Sequence, residues 1–206
     1  MTDDMTLDDL KELILLTSHS EFCRDYLFDD SMWYFDSQNT EVLPGVSYTS
    51  FKAFVSNLVG VDSSDIALGG SSKFGFSLNP DDRQNKLFRK FNTISDLDLV
   101  IVSPKLFEDT WSAMKTAFYN EYYWVMTVHS KHIFRGFIFL DDKRDYKTKY
   151  LIDTQKFMRN ISSEMVAVLG ISRELKYRIY ATWEDAYIYH EAGIQQIQRN
   201  MLNVAQ

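Results

Sequence analysis

Gly70-Ser71-Ser72-Lys73-Phe74-Gly75, followed downstream by Ser95-Asp96-Leu97-Asp98-Leu99-Val100-Ile101-Val102, carries most of the information in this 206-residue chain. The second segment alternates acidic and apolar residues and ends in a purely apolar run, the pattern of a strand with one polar end. Successive side chains of a strand point to opposite faces, so Asp96 and Asp98 are expected to project together from one side. Two neighbouring carboxylates repel each other unless a cation neutralises them. Mg²⁺ suits such a pair, because it takes carboxylate oxygens and brings phosphates with it. The first segment offers a complementary half. A glycine–serine turn has backbone N–H groups, a hydroxyl and no obstructing side chain, which suits a phosphate. Singly, each signal has a plain structural alternative: glycine–serine turns are common, and an acidic strand end can simply be solvated.

The flanking sequence predicts alternating helices and strands. Leu7, Leu10, Leu13, Ile14 and Leu16 repeat at helical spacing behind a Thr6/Asp9 capping pattern. Pro44-Gly45 marks a turn, and a second helix is expected over 49–58, ended by Gly60. Asp65 to Leu68 reads as a short strand entering the glycine turn. Residues 76–94 read as an inserted loop, turned by Asn79-Pro80-Asp81-Asp82 and carrying Arg83, Lys86, Arg89 and Lys90. Beyond the acidic strand, Ser103-Pro104 starts a helix with proline at its first position. Two strands are expected at 122–128 and 133–140, then a helix over 154–168 ended by Gly170. A strand follows at 175–180, and a last helix from near Thr182 has Glu184 and Asp185 in its first turn, where the helix dipole favours them. Such alternation implies a sheet with helices packed on it.

Composition narrows the class. Twelve Tyr, fifteen Phe and four Trp supply a packed interior. The single cysteine, Cys23, excludes an internal disulfide framework and fits a reducing cytosol. No apolar run approaches the ~20 residues of a membrane span, and Met1-Thr2-Asp3-Asp4 is acidic where a secretory signal is basic, so a cytoplasmic protein with no membrane partner is expected. The net charge is −7, unevenly spread. Residues 1–65 hold thirteen acidic and three basic side chains, whereas 143–178 hold nine basic and four acidic ones. The basic segment is either a solvated face or an attraction for a polyanion such as RNA. His129 and His132 have a spacing that suits a metal on a turn, but no Cys or His partners complete a zinc set. No P-loop and no nucleophile elbow is present.

The combination Gly70-Ser71-x-x-x-Gly75 with Ser95-Asp96-Leu97-Asp98-Leu99-Val100 resembles the core of the DNA polymerase beta superfamily of nucleotidyltransferases. The resemblance spans residues 48–140. It implies an α+β (α/β-like) fold in which a mixed, twisted β-sheet is flanked by helices. The chain then reads as a single nucleotidyltransferase-like domain over 1–206, with 1–47 as an N-terminal, mainly helical extension. By the same resemblance Gly70 and Ser71 match nucleotide-binding positions, and Asp96 and Asp98 match Mg²⁺ ligands. The implied activity is Mg²⁺-dependent transfer of a nucleoside monophosphate from an NTP, ATP first among candidates, to a hydroxyl of a protein, RNA or small molecule. Small members resemble components of bacterial toxin–antitoxin and phage-defence systems. Two departures stand out. Residues 76–94 separate turn and strand more widely than in minimal members. Active members also carry a third carboxylate on a neighbouring strand. Asp141, ending an apolar run, is the first candidate for that role as a catalytic residue; Asp153 and Glu174 are the others. Should none serve, the same fold would act as a nucleotide-sensing or partner-binding module. An arginine within an apolar strand needs an anionic partner, so Arg135 is expected to meet a triphosphate, Asp96 or Asp98, or a purely structural partner. His190 is expected to be packed rather than catalytic.

Overall fold

The computed structural model describes residues 5–36, 42–80 and 87–204. The acidic segment Asp81-Asp82 and the basic residues Arg83 and Lys86 of the expected loop lie outside these residues, as do Met1 to Asp4.

The architecture is mixed α+β around a four-stranded mixed sheet. Strands β1 (Ile66–Gly69), β2 (Leu97–Val102), β3 (Phe137–Ile138) and β4 (Leu175–Tyr180) lie in the order β1-β2-β4-β3. β1 runs antiparallel to β2, β4 is parallel to β2, and β3 is antiparallel to β4. The central pair forms because Leu97, Leu99 and Ile101 supply one apolar face while Val100 and Val102 supply the other. A strand buried on both faces reads as a nearly continuous hydrophobic run, and β2 does so after Asp98.

Helices cover both faces. On one face α4 (Tyr48–Val59) and α8 (Lys149–Leu169) bury Phe51, Val55, Ile161 and Met165 against Leu68, Leu99 and Ile179. Capping fixes where α4 starts and stops: Ser47 and Ser50 bond reciprocally at its N-terminus, and Gly60 closes it in the left-handed conformation, φ 78°. On the other face α9 (Trp183–Val204) packs Ala186 against Val100 and Tyr180. α9 also joins α1 (Leu7–Leu16) in a second cluster. There Leu10, Ile14 and Phe22 meet Ile194 and Ile197. Between them in sequence, α2 (His19–Glu21) runs into a π-helical turn over Phe22–Leu27, and α3 (Trp33–Asp36) follows. α5 (Ser71–Phe74) is a single turn at the end of β1, and α6 (Pro104–Tyr119) begins after the Ser103 side chain caps Leu106 N–H. No helix of the described residues is long and apolar enough to cross a membrane.

The second half departs from expectation at one place. Residues 124–128 of the strand expected over 122–128 belong instead to helix α7 (Trp124–Ile133), and the strand expected at 133–140 shrinks to the two residues of β3. Tyr, Trp and Val have high strand propensity, yet Val125, His129 and Ile133 recur every four residues and pack toward α6 and β3. Tertiary packing on α6 prevails over local preference. The chain reverses between the two helices at Asn120 and Glu121, the latter at φ 69°.

Candidate functional site

The turn and the acidic strand meet because β1 and β2 are hydrogen-bonded neighbours, with Gly69 opposite Asp98. Gly70 then turns at φ 65°, ψ −148°. A Cβ at this position would fall 2.2 Å from Asp98 Oδ2, so backbone and carboxylate approach as closely as only glycine permits. Ser72 Oγ donates to Gly69 C=O at 2.8 Å, and Gly75, at φ 77°, ends α5. Ser71 is half-buried and borders the cleft. Behind the turn, Lys73 is fully buried, its ammonium donating to the Asp29 carboxylate, to the Ser31 carbonyl, to Ser31 Oγ (3.1 Å) and to Asp29 C=O (3.3 Å). Burial draws the Lys73 pKa down against the pull of Asp29.

The expected loop is tied down beside the turn. Phe76 bridges to Lys90, Ser77 N–H donates to Arg89 C=O at 2.9 Å, and Phe91 N–H donates to Gly75 C=O at 2.7 Å. These bonds make the described ends of the segment an irregular hairpin, with Leu87 and Phe88 packed on the α1–α9 cluster.

Ser71, Asp96 and Asp98 open into a cleft of about 1030 Å³ between the sheet and α9. Opposite the carboxylates stand two cations from β4. Register places Asp98 beside Lys176 and Val100 beside Arg178. Arg178 Nη1 donates to Asp98 Oδ1 at 3.1 Å, and the Lys176 ammonium pairs with Asp96. The guanidinium also sits over the rings of Phe137 and Tyr189, 5.5 Å from each centroid. Burial raises the Asp98 pKa, with Arg178 opposing, while the Asp98 charge raises that of Arg178 against its own burial. Lys176 is also raised, by its bond to Asp96.

Other cleft residues come from α9 and the turn after α7. Asp185 is occupied as a cap, accepting from Thr182 N–H at 3.1 Å and from Thr182 Oγ1 at 2.7 Å. His190 is held edge-on against Phe28 and Tyr189, both at 5.0 Å. Burial, helped by the Arg178 charge, pushes its pKa down to about 3, so it is a neutral wall residue. Arg135 lies in an exposed turn rather than in a strand and reaches the cleft rim; the carboxylate partners considered for it belong to Lys176 and Arg178.

Asp141 sits elsewhere. Its carboxylate accepts from Lys143 N–H at 2.9 Å and faces Arg144 at 3.6 Å, while its own N–H donates to Tyr146 Oη at 3.1 Å. It shapes a turn and is not among the residues lining the cleft. Asp153 pairs with Lys149 on α8. No group of three or more Asp, Glu, His or Cys side chains that suits a metal occurs among the described residues, His129 and His132 included. Several charges of the basic segment are matched locally: Arg144 with Asp141, Lys147 with Asp145, and Arg159 with Asp142.

Lys176 and Arg178 are the residues that sequence reasoning passed over. The signal was present. Lys176-Tyr177-Arg178 repeats with opposite charge the two-residue spacing of Asp96-Leu97-Asp98. No protein-family model, characterised protein or solved structure matches this chain.

Proposed function

We propose that the cleft is a nucleotidyltransferase site that takes an NTP and Mg²⁺ and passes a nucleoside monophosphate to a hydroxyl group. The observation that supports it best is the contact of Gly70 with Asp98, which brings the glycine–serine turn and the acidic strand into one cleft. In this reading the four-stranded mixed sheet is the nucleotidyltransferase-type sheet of the resemblance. Asp96 and Asp98 fit Mg²⁺, which is commonly held by one or two carboxylates completed by substrate phosphates. Bound there, Mg²⁺ would polarise phosphate oxygens and lower the pKa of an attacking hydroxyl.

The chain's own groups hold and orient the substrate. The Gly70–Ser71 turn takes the triphosphate, and Lys176 and Arg178 keep positive charge beside it. The acceptor oxygen forms a bond to the α-phosphorus, the α–β bridging P–O bond breaks, and pyrophosphate leaves with the electron pair. The hydroxyl proton passes to water. ATP is the first nucleotide to try, with protein, RNA and small-molecule acceptors to compare.

A second reading, binding of a nucleotide without transfer, is favoured by one observation. β4, the strand directly beside the acidic one, presents Lys176 and Arg178 instead of a further carboxylate. One experiment separates the two. The protein is incubated with labelled NTPs, Mg²⁺ and cell lysate, beside an Asp96→Ala/Asp98→Ala variant. Label transferred by the parent and lost in the variant supports transfer. Nucleotide retained on the parent with no label transferred supports the binding module, and neither retention nor transfer removes both.

A further inference from the structure

Asp96, Asp98, Lys176 and Arg178 form a closed set of two anions and two cations on neighbouring parallel strands. Each carboxylate is only about one-fifth exposed, and each already has its own counter-ion. Replacing ion pairs of this kind by apolar residues is often neutral or stabilising, so stability alone is a weak reason for the set. Its position gives a better one. Every member borders the cleft, and Arg178 retains two aromatic partners, Phe137 and Tyr189, that do not depend on Asp98.

We infer, on the footing of the nucleotide reading above, that Lys176 and Arg178 are triphosphate-binding residues that exchange a carboxylate partner for a phosphate one. The charge balance makes this exchange conditional. A divalent cation offered alone meets carboxylates that are already neutralised, and its entry would strand two cations beside it. A triphosphate offered alone can draw off Lys176 and Arg178 only by exposing two carboxylates to its own negative charge. Offered together, the four charged side chains all keep opposite-sign neighbours: the carboxylates against the metal, the ammonium and guanidinium against phosphate oxygens. A guanidinium suits this role because its planar fork matches carboxylate and phosphate alike. Metal and nucleotide binding are therefore positively coupled, and by linkage each must strengthen the other equally.

The test uses the full chain and reads binding by calorimetry, with Mg²⁺ alone and then with the α,β-methylene analogues of the four NTPs in saturating Mg²⁺. Arg178→Met is expected to act with opposite signs: Mg²⁺ alone binds about tenfold more tightly, and the nucleotide analogue about tenfold more weakly, within the usual range of coupling between sites. Lys176→Ala, at a half-exposed side chain, should shift both affinities in the same directions and serves if Arg178→Met does not fold. A residue that merely touches phosphate would weaken the nucleotide and leave Mg²⁺ unchanged. A merely structural pair would leave both unchanged or weaken both. Either result overturns the exchange while nucleotide binding by the parent stands. If neither parent nor variants bind any analogue in Mg²⁺, the nucleotide reading itself is removed and the exchange with it.

Discussion

Two sets of aspartate–cation contacts flank the Gly70–Ser71 turn, and they are built to opposite specifications. Behind the turn, the Lys73 ammonium is enclosed by a carboxylate, two backbone carbonyls and a hydroxyl, at least as many acceptors as it has protons to donate. In front of it, Arg178 makes one hydrogen bond among the described residues, to Asp98, from a group with five N–H donors. Lys176 likewise makes one, to Asp96. A saturated pair has nothing left to offer a ligand and acts as a tie, here fastening the segment 29–31 to the back of the turn. An unsaturated pair bordering a cleft has donors to spare. The comparison separates structure from function by counting partners rather than by charge.

The strongest way to break it is to remove the tie. Lys73→Met takes this donor from two carbonyls and takes the counter-ion from the Asp29 carboxylate, which keeps only the Ser31 N–H and hydroxyl. Asp29 keeps some contact with solvent, at 39% exposure, which places the expected loss of unfolding free energy near the lower end for broken buried pairs, about 3 kcal/mol. Urea unfolding measures it; a loss below about 1 kcal/mol would mean that saturation does not mark a structural pair. Next in size is Gly70→Ala. The new Cβ collides with the Asp98 carboxylate and forces a side chain to hold φ 65°, together costing about 2 kcal/mol. In an Asp98→Ala background the collision is gone and only backbone strain remains, so the cost should fall to about 1 kcal/mol. Equal costs in the two backgrounds would show that the turn does not press on the carboxylate.

The same contrast between local and distant information explains what the sequence made legible. β1, β2 and β4 were readable because each carries its pattern within four to six residues: an apolar run, or charged and apolar residues alternating into an apolar end. The caps of α1 and α6 were readable for the same reason, since Thr6/Asp9 and Ser103-Pro104 act within one turn. The adjacency of β2 and β4 was not, because the partners Asp98 and Arg178 lie eighty positions apart and strand order leaves no local mark. Helix α7 was misread since its aromatic and β-branched residues favour strands in isolation, and only docking on α6 makes it helical. That misreading carried Asp141 with it. Once the expected strand contracts to Phe137–Ile138, Asp141 falls past its end, in the turn that Tyr146 and Arg144 organise.

The misread region carries a titratable group that tests its packing. His129 is 1% exposed on α7, with Nε2 at 3.1 Å from Tyr146 Oη and Phe139 and His132 against the ring. Burial first, then the charges of His132 and Arg144, push its pKa down to about 4. A histidine depressed in the fold favours the native state fully above its unfolded value, about 6.5, and loses that contribution as pH falls toward 4. Between pH 7 and pH 5 the parent should therefore lose about 2 kcal/mol that His129→Asn does not lose. Chemical unfolding of both proteins at the two pH values measures the difference, and a gap independent of pH would place His129 in contact with water.

The smallest effect is expected at the unsaturated pairs themselves, and its smallness is what the comparison requires. Lys176 is 56% exposed and holds Asp96 across the cleft mouth, so Lys176→Met should change stability by no more than about 0.5 kcal/mol. Arg178 is more enclosed. Its loss leaves Asp98 without a counter-ion but removes a single hydrogen bond, where Lys73 holds four acceptors. Arg178→Met should cost about 1 kcal/mol, against the threefold larger loss at Lys73. Both are read from the same unfolding curves. If Arg178→Met destabilised the protein as much as Lys73→Met, the β4 cation would be a second tie, held by the fold rather than available to a ligand, and the cleft would lose its reason for carrying charge.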